Sequence, residues 1–212
     1  DEGLRGGKTI PLKNNMDMAL GMETNHQVEH VIVVKHSGAP VNNGSIDRDY
    51  QDLIRQQAAE CPPVLMNAED PLFILYTSGS TGKPKGAVHS TGGYLVFASI
   101  THQYVFDFQK SHVFWCGADI GWITGHTYIT YGPLLNGATS VMFEGLATHP
   151  NLGRYGEIID KYKVSTFYVA PTAIRALMAG RDQALTSSDR SSLHILATAG
   201  EPINPQAWHW FN

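Results

Sequence analysis

The chain has 212 residues, of which 42% are hydrophobic and 16% charged, against roughly 25% charged in an average soluble domain. Its formal net charge is −4, from 15 Lys and Arg against 19 Asp and Glu with no long run of one sign, which argues against an extended basic face for nucleic acid. The longest apolar runs, near 31–34 and 94–100, fall well short of the ~18 residues that a membrane span needs, so neither nucleic acid nor membrane is expected as a partner.

In chain order, residues 29–35 read as a buried strand. Residues 46–60 read as a helix with Tyr50, Leu53, Ile54 and Ala58 on one face, ended by Cys61-Pro62-Pro63. From Pro71 the pattern becomes a repeated apolar strand, small-residue turn and amphipathic helix. Strands are expected at 72–76, 113–116, 140–143, 166–169 and 195–198, and helices at 92–103, 123–135, 153–163 and 172–179. Continuously apolar strands alternating with helices imply an α/β fold of mostly parallel sheets flanked by helices, with functional residues in the loops after strand C-termini. No linker divides the chain, so one domain or part of one is expected.

Asn204-Pro205 makes an N-cap and first helical position, and Trp208 and Phe211 open an apolar stripe that stops with the chain at Asn212. The start, Asp1-Glu2-Gly3-Leu4-Arg5, shows no signal or transit peptide. Both ends are read as those of a piece of a longer protein. Cys61 and Cys116 stand apart, without partners at metal-binding spacing, which points to a reducing, cytoplasmic setting.

Directly after the strand LFILY comes Thr77-Ser78-Gly79-Ser80-Thr81-Gly82-Lys83-Pro84-Lys85-Gly86. Its three glycines free backbone N–H groups to approach a ligand, its hydroxyls donate, and its two lysines add positive charge, a combination suited to polyphosphate. Each charge-assisted hydrogen bond contributes roughly 1.5 to 3 kcal/mol, so several make a nucleotide site. The alternative is a plain Gly/Ser surface loop. A Walker A loop is excluded, because Lys83 is followed by Pro84 and Thr77 stands where that motif needs its first glycine.

The string YTSGSTGKPKG (76–86) resembles the signature of the acyl-adenylate-forming superfamily. ADIGWITGHTY (118–128), YGPLLNGAT (131–139), APTAIRALM (170–178), DRSSL (189–193) and GEPINPQAW (200–208) resemble the AMP-forming acetyl-CoA synthetases within it. The resemblance covers essentially the whole chain, in order. It implies part of the large N-terminal adenylation domain, with the mobile C-terminal domain and its catalytic lysine outside these residues. It also implies acetate activation with ATP and Mg2+, followed by transfer to coenzyme A. Acetate, ATP and CoA are then the small-molecule partners.

By the same resemblance, Thr77, Ser78, Gly79, Ser80, Thr81, Gly82, Lys83, Lys85 and Gly86 hold the triphosphate, with Lys83, Lys85 and Thr77 closest to the chemistry. Gly200, Glu201 and Pro202 correspond to the adenine-contacting segment, and Trp122, Ile123, Thr124 and Ala199 to the acyl pocket. Arg5, Gly6, Gly7, Lys8, Thr124 and Thr148 correspond to CoA contacts. Lys8 replaces the usual Arg, which keeps charge but loses the bidentate fork. Thr148, within ATHP, stands where relatives carry Asn. Ile123 and Ala199 both replace Val, so pocket size is loosely bounded and a propionyl or other short-chain synthetase stays open, since one methylene discriminates by only ~1 to 3 kcal/mol. A non-catalytic nucleotide-binding fragment is the alternative from another class. A P-loop phosphotransferase, which would yield ADP, is disfavoured by Pro84.

His26 to His30 spell H-x-x-E-H, but a zinc site would need a helix there and His30 runs into the strand VIVV, so no metal site is expected. His126, beside the acyl segment, is the one histidine singled out for test, with a packed structural ring as the alternative. No G-x-S-x-G elbow exists.

Overall fold

The computed structural model describes residues 1–22, 28–77, 82–180 and 188–212. Its first hairpin joins β1 (Gly3–Arg5) to β2 (Lys8–Ile10) through a two-residue turn with Gly6 and Gly7 at φ 58° and 77°. Two consecutive left-handed residues match the right-handed twist of hairpin strands, and glycine adopts them without a Cβ clash. Helix α1 (Leu12–Met22) follows, and its buried Lys13 lies between Asp17 and Asp47, with Nζ 2.8 Å from Asp47 Oδ2. Hydrogen bonds to Asp17 and then Asp47 hold the Lys13 ammonium above its ordinary pKa, and Lys13 in turn holds the Asp47 carboxyl below its own.

Strand β3 (Val31–Val33), shorter than the 29–35 expected, pairs in parallel with β4 (Asp47–Asp49). The helix expected over 46–60 is corrected on this point. Residues 47–49 belong to β4, and Asp49 Oδ1 accepts from the amides of Gln51 (2.8 Å) and Asp52 (3.2 Å), so that α2 spans only Tyr50–Arg55. An aspartate that takes free first-turn amides marks a helix start that periodicity alone misses. Ala58 lies beyond the helix end.

Strands β5 (Pro71–Thr77) and β6 (Lys85–Ser90) form an antiparallel hairpin, with Phe73 opposite His89 and Thr77 opposite Lys85. The first expected strand–turn–helix unit is therefore corrected: β6 intervenes before α3 (Thr91–Val105). The run Lys85-Gly86-Ala87 has little strand propensity of its own, and pairing with β5 supplies the difference. Nor is β5 buried in these residues, since Ile74 is 57% and Tyr76 66% exposed.

The parallel sheet expected from the sequence consists of β7 (Val113–Cys116), β8 (Thr139–Val141), β9 (Thr166–Tyr168) and β10 (Ile195–Ala197), in the order β10-β9-β7-β8. The helix expected over 123–135 is a continuous helical run of three kinds: α4 (Ile123–Gly125), a π-helical turn (His126–Tyr131) and α5 (Gly132–Leu135). Pro133 has no N–H to offer the carbonyl four residues back, and the Gly132 amide reaches five residues back to Thr127 O, which widens the turn.

Phe114 and Tyr168 face α3 and the π turn, with Phe106–Phe114 and Tyr128–Tyr168 centroids 5.0 and 5.4 Å apart. Trp115 and Phe167 face the other way, onto Tyr155 of α6 (Arg154–Tyr162), at 4.8 and 5.6 Å. Strands covered on both faces explain why VFWC is apolar throughout. Helices α7 (Pro171–Met178) and α8 (Pro205–Phe211) both begin at proline, and Asn204 Oδ1 caps α8 by accepting from Ala207 N at 3.1 Å, as expected.

Residues 1–63 and 144–149 form one compact unit, and 64–143 and 150–212 a second. Among the described residues no helix is long and apolar enough to cross a membrane.

Candidate active site

Because β7, β9 and β10 are parallel neighbours, the chain leaves all three at one edge of the sheet. Their ladder continues past the strand ends, with Gly117 N donating to Tyr168 O (2.8 Å) and Val169 N to Ala197 O (3.0 Å). Ligands of open α/β sheets bind beyond such carboxyl ends, and the loops that emerge here carry the residues assigned above to the acyl pocket and the adenine.

The loop after β7 leads to Trp122, Ile123 and Thr124. Trp122 N donates to Asp119 O at 3.2 Å, and Asp119 Oδ1 accepts from Gly121 N at 2.9 Å. Gly125 permits this turn, since a Cβ there would stand 2.3 Å from Asp119 O. His126 reaches the Trp122 carbonyl twice, through its amide (3.0 Å) and its ring Nδ1 (2.9 Å), and a carbonyl partner makes Nδ1 the protonated nitrogen. The His126 ring stacks on Phe73, centroids 5.1 Å apart, so it is packed between the acyl segment and the β5–β6 hairpin. Trp122 and Ile123 are 68% and 39% exposed, an apolar step at the mouth of the edge. Thr124 hydrogen-bonds the side chain of Tyr168, whose phenol burial pushes up to about 12.

The loop after β10 carries Ala199, Gly200, Glu201 and Pro202. Gly200 has φ 97°, a left-handed value, and nothing lies within 4 Å of where its Cβ would be. The Glu201 carboxylate turns toward α7: Oε1 accepts from Thr172 N at 2.7 Å and Oε2 from Arg175 at 2.6 Å. The Arg175 guanidinium holds this carboxyl below its usual pKa, with the Thr172 amide adding to the effect. The side chain is thus held by α7, and open space lies beside the Gly200 backbone. Arg175 was not singled out from the sequence, because its partner lies 26 residues away and no local period connects them.

At the hairpin, Thr77 and Lys85 are cross-strand neighbours that close the glycine-rich turn. Gly82 has φ 80°, and a Cβ on Gly86 would press within 3.2 Å of the Tyr76 ring, so both glycines meet real demands of the backbone. Thr77, Gly82, Lys83, Lys85 and Gly86 are exposed. Ser78, Gly79, Ser80 and Thr81 lie outside the described residues, as does His26.

In the other unit, Arg5 and Lys8 face each other across the β1–β2 hairpin beside the Gly6-Gly7 turn. A Cβ on Gly6 would come 2.8 Å from Leu146 Cδ1, and one on Gly7 3.1 Å from His149 Cε1. The segment containing the exposed Thr148 therefore packs on that turn, which brings five of the six residues tied to CoA into one unit. Thr124, the sixth, belongs to the second unit. Among the described residues no group of three or more His, Cys, Asp or Glu could hold a metal ion.

The model of the AMP-binding enzyme family matches residues 12–212. The chain belongs to the AMP-binding enzyme family. Within that family it is 59% identical over 211 residues to an acetyl-coenzyme A synthetase of Pseudoalteromonas atlantica, 58% over 212 residues to one of Xanthomonas campestris pv. campestris and 57% over 212 residues to one of Xylella fastidiosa. Each comparison covers 100% of this chain and 33% of the relative, so the chain spans about a third of the length of these curated relatives.

Proposed function

We propose that the protein carrying this chain is an AMP-forming acetate–CoA ligase, and that residues 1–212 belong to its N-terminal adenylation domain. A carboxylate resists attack by a thiol until one oxygen becomes a good leaving group. Acetate oxygen attacks the α-phosphorus of ATP, pyrophosphate leaves, and the CoA thiol then displaces AMP from the acetyl carbon. Positioning and charge neutralisation dominate such chemistry.

Lys83 and Lys85 offset charge on the departing pyrophosphate and Thr77 donates beside them; Mg2+, if bound with the nucleotide, would supply further charge neutralisation there. The backbone at Gly200–Pro202 receives the adenine, and Trp122, Ile123 and Ala199 wall the methyl group of acetate. Arg5 and Lys8 meet the phosphates of CoA. Cys61 and Cys116 are both free thiols, in keeping with a cytoplasmic enzyme.

The observation that carries this reading is that the 122–124 segment and the 199–202 loop leave the parallel sheet at the same edge, in a chain 57–59% identical to acetyl-coenzyme A synthetases. Product analysis of the complete gene product with acetate, ATP and CoA tests it. AMP, pyrophosphate and acetyl-CoA in equal amounts are expected, with propionate the poorer acid. ADP as the nucleotide product would overturn the reading.

A further inference from the structure

We propose that Tyr94 and Thr127 are positioning residues that fix the Ile123 wall and thereby set the discrimination between acetate and longer acids, an inference that rests on the acetate reading above. Tyr94 of α3 is 7% exposed and its Oη lies 2.8 Å from Thr127 Oγ1. Thr127, in the π turn, is 3% exposed and its Oγ1 lies 2.8 Å from the carbonyl of Ile123. A carbonyl only accepts, so the single Thr127 hydroxyl proton goes to Ile123 O, and the Tyr94 hydroxyl donates to Thr127. The order of donors is one-way: tyrosine to threonine to the backbone of the acyl wall.

The neighbouring carbonyl is held in the same manner, with His126 Nδ1 on Trp122 O at 2.9 Å. Side chains four residues ahead thus add a second grip on two successive carbonyls of the acyl segment, which also accept from the His126 amide. Tyr94 has little freedom to move, because its ring meets Phe73 and Tyr131 edge-on at 4.9 and 5.3 Å. Burial also holds its phenol above the ordinary pKa, which keeps the donor proton in place around neutral pH.

Ile123 further lines a groove of about 360 Å³ together with Val88, Tyr94, Phe97 and Thr127. A wall that loses the Thr127 contact has room to shift into that groove, which changes the fit of the acid. The affected quantity is acid selectivity, with nucleotide binding left alone.

Acid-dependent ATP–pyrophosphate exchange on the complete gene product tests this with Tyr94→Phe, Thr127→Val and Thr127→Ser. The acetate-over-propionate ratio of kcat/KM should fall about threefold in Tyr94→Phe and about tenfold in Thr127→Val, through a higher KM for acetate. The KM for ATP should stay unchanged, and Thr127→Ser, which keeps the hydroxyl, should retain the wild-type ratio. An unchanged ratio in both Tyr94→Phe and Thr127→Val would overturn the inference while leaving the acetate reading intact. So would KM values for acid and ATP that rise together, or a Thr127→Ser variant that behaves like Thr127→Val. Absence of acetate-dependent exchange in the wild type would instead defeat the acetate reading and the inference with it.

Discussion

His102 is fully buried in α3 against the rings of Phe108 and Phe114, and its Nδ1 accepts from Asn136 Nδ2 at 3.1 Å. Burial lowers its pKa from 6.5 to about 4, so between those values the unfolded chain binds a proton that the native one refuses. Stability from this residue is complete above pH 6.5 and is lost as pH falls toward 4, by up to about 3 kcal/mol. Denaturant unfolding of the complete gene product at pH 7 and pH 4.5 should show this loss, and His102→Gln should reduce it. At the edge of the sheet, Arg175→Met should raise the KM for ATP several-fold with little change for acetate, because Glu201 loses its guanidinium and the 199–202 backbone its anchor. Residues of this kind mark the limit of what the sequence discloses. The phosphate role proposed for 77–86 is read from a contiguous string of glycines, lysines and hydroxyls, whereas Arg175 with Glu201 and Tyr94 with Thr127 meet only through the tertiary fold.

Elements were legible where a single local rule governed them. Strand β7 has the bounds its apolar run indicates, β9 and β10 end one residue early, and Asn204-Pro205 starts α8. They were illegible where partners decided. Strand β6 exists because β5 pairs with it, α2 is shortened because β3 claims 47–49, and the π turn arises from Pro133 and Gly132. Two glycines separate packing from propensity. Gly125→Ala would place a methyl 2.3 Å from Asp119 O and 2.6 Å from Ile120 Cα, backbone atoms that cannot swing away. It should cost about 3 kcal/mol or more in unfolding free energy and disturb the acyl segment. Gly21→Ala in α1, with nothing within 4 Å, should be neutral or stabilise by roughly 0.5 to 1 kcal/mol. A comparable loss at both positions would contradict this account of α4.

At the scale of the whole molecule, the order of motifs could be read along the chain because each is a short contiguous string. The membership of 144–149 in the amino-terminal unit could not, since it depends on Leu146 and His149 packing beside the Gly6-Gly7 turn. That packing gathers Arg5, Lys8 and Thr148 in one unit, while the sheet edge gathers the segments at 122–124 and 199–202, proposed to hold the acyl group and the adenine, in the other. Such a division suits the two-step reaction proposed above, with adenylation and thiol transfer assigned to different surfaces. On the reading proposed above, the first step depends on the segment that begins at Thr77. The most direct measurement is acetate-dependent ATP–pyrophosphate exchange by the complete gene product and by its Lys83→Ala/Lys85→Ala variant. Exchange is expected to fall by about a hundredfold or more, with thermal unfolding unchanged, because charge on the transferring phosphates goes uncompensated. Exchange at the wild-type rate in the folded double variant would contradict the assignment of this turn to the triphosphate.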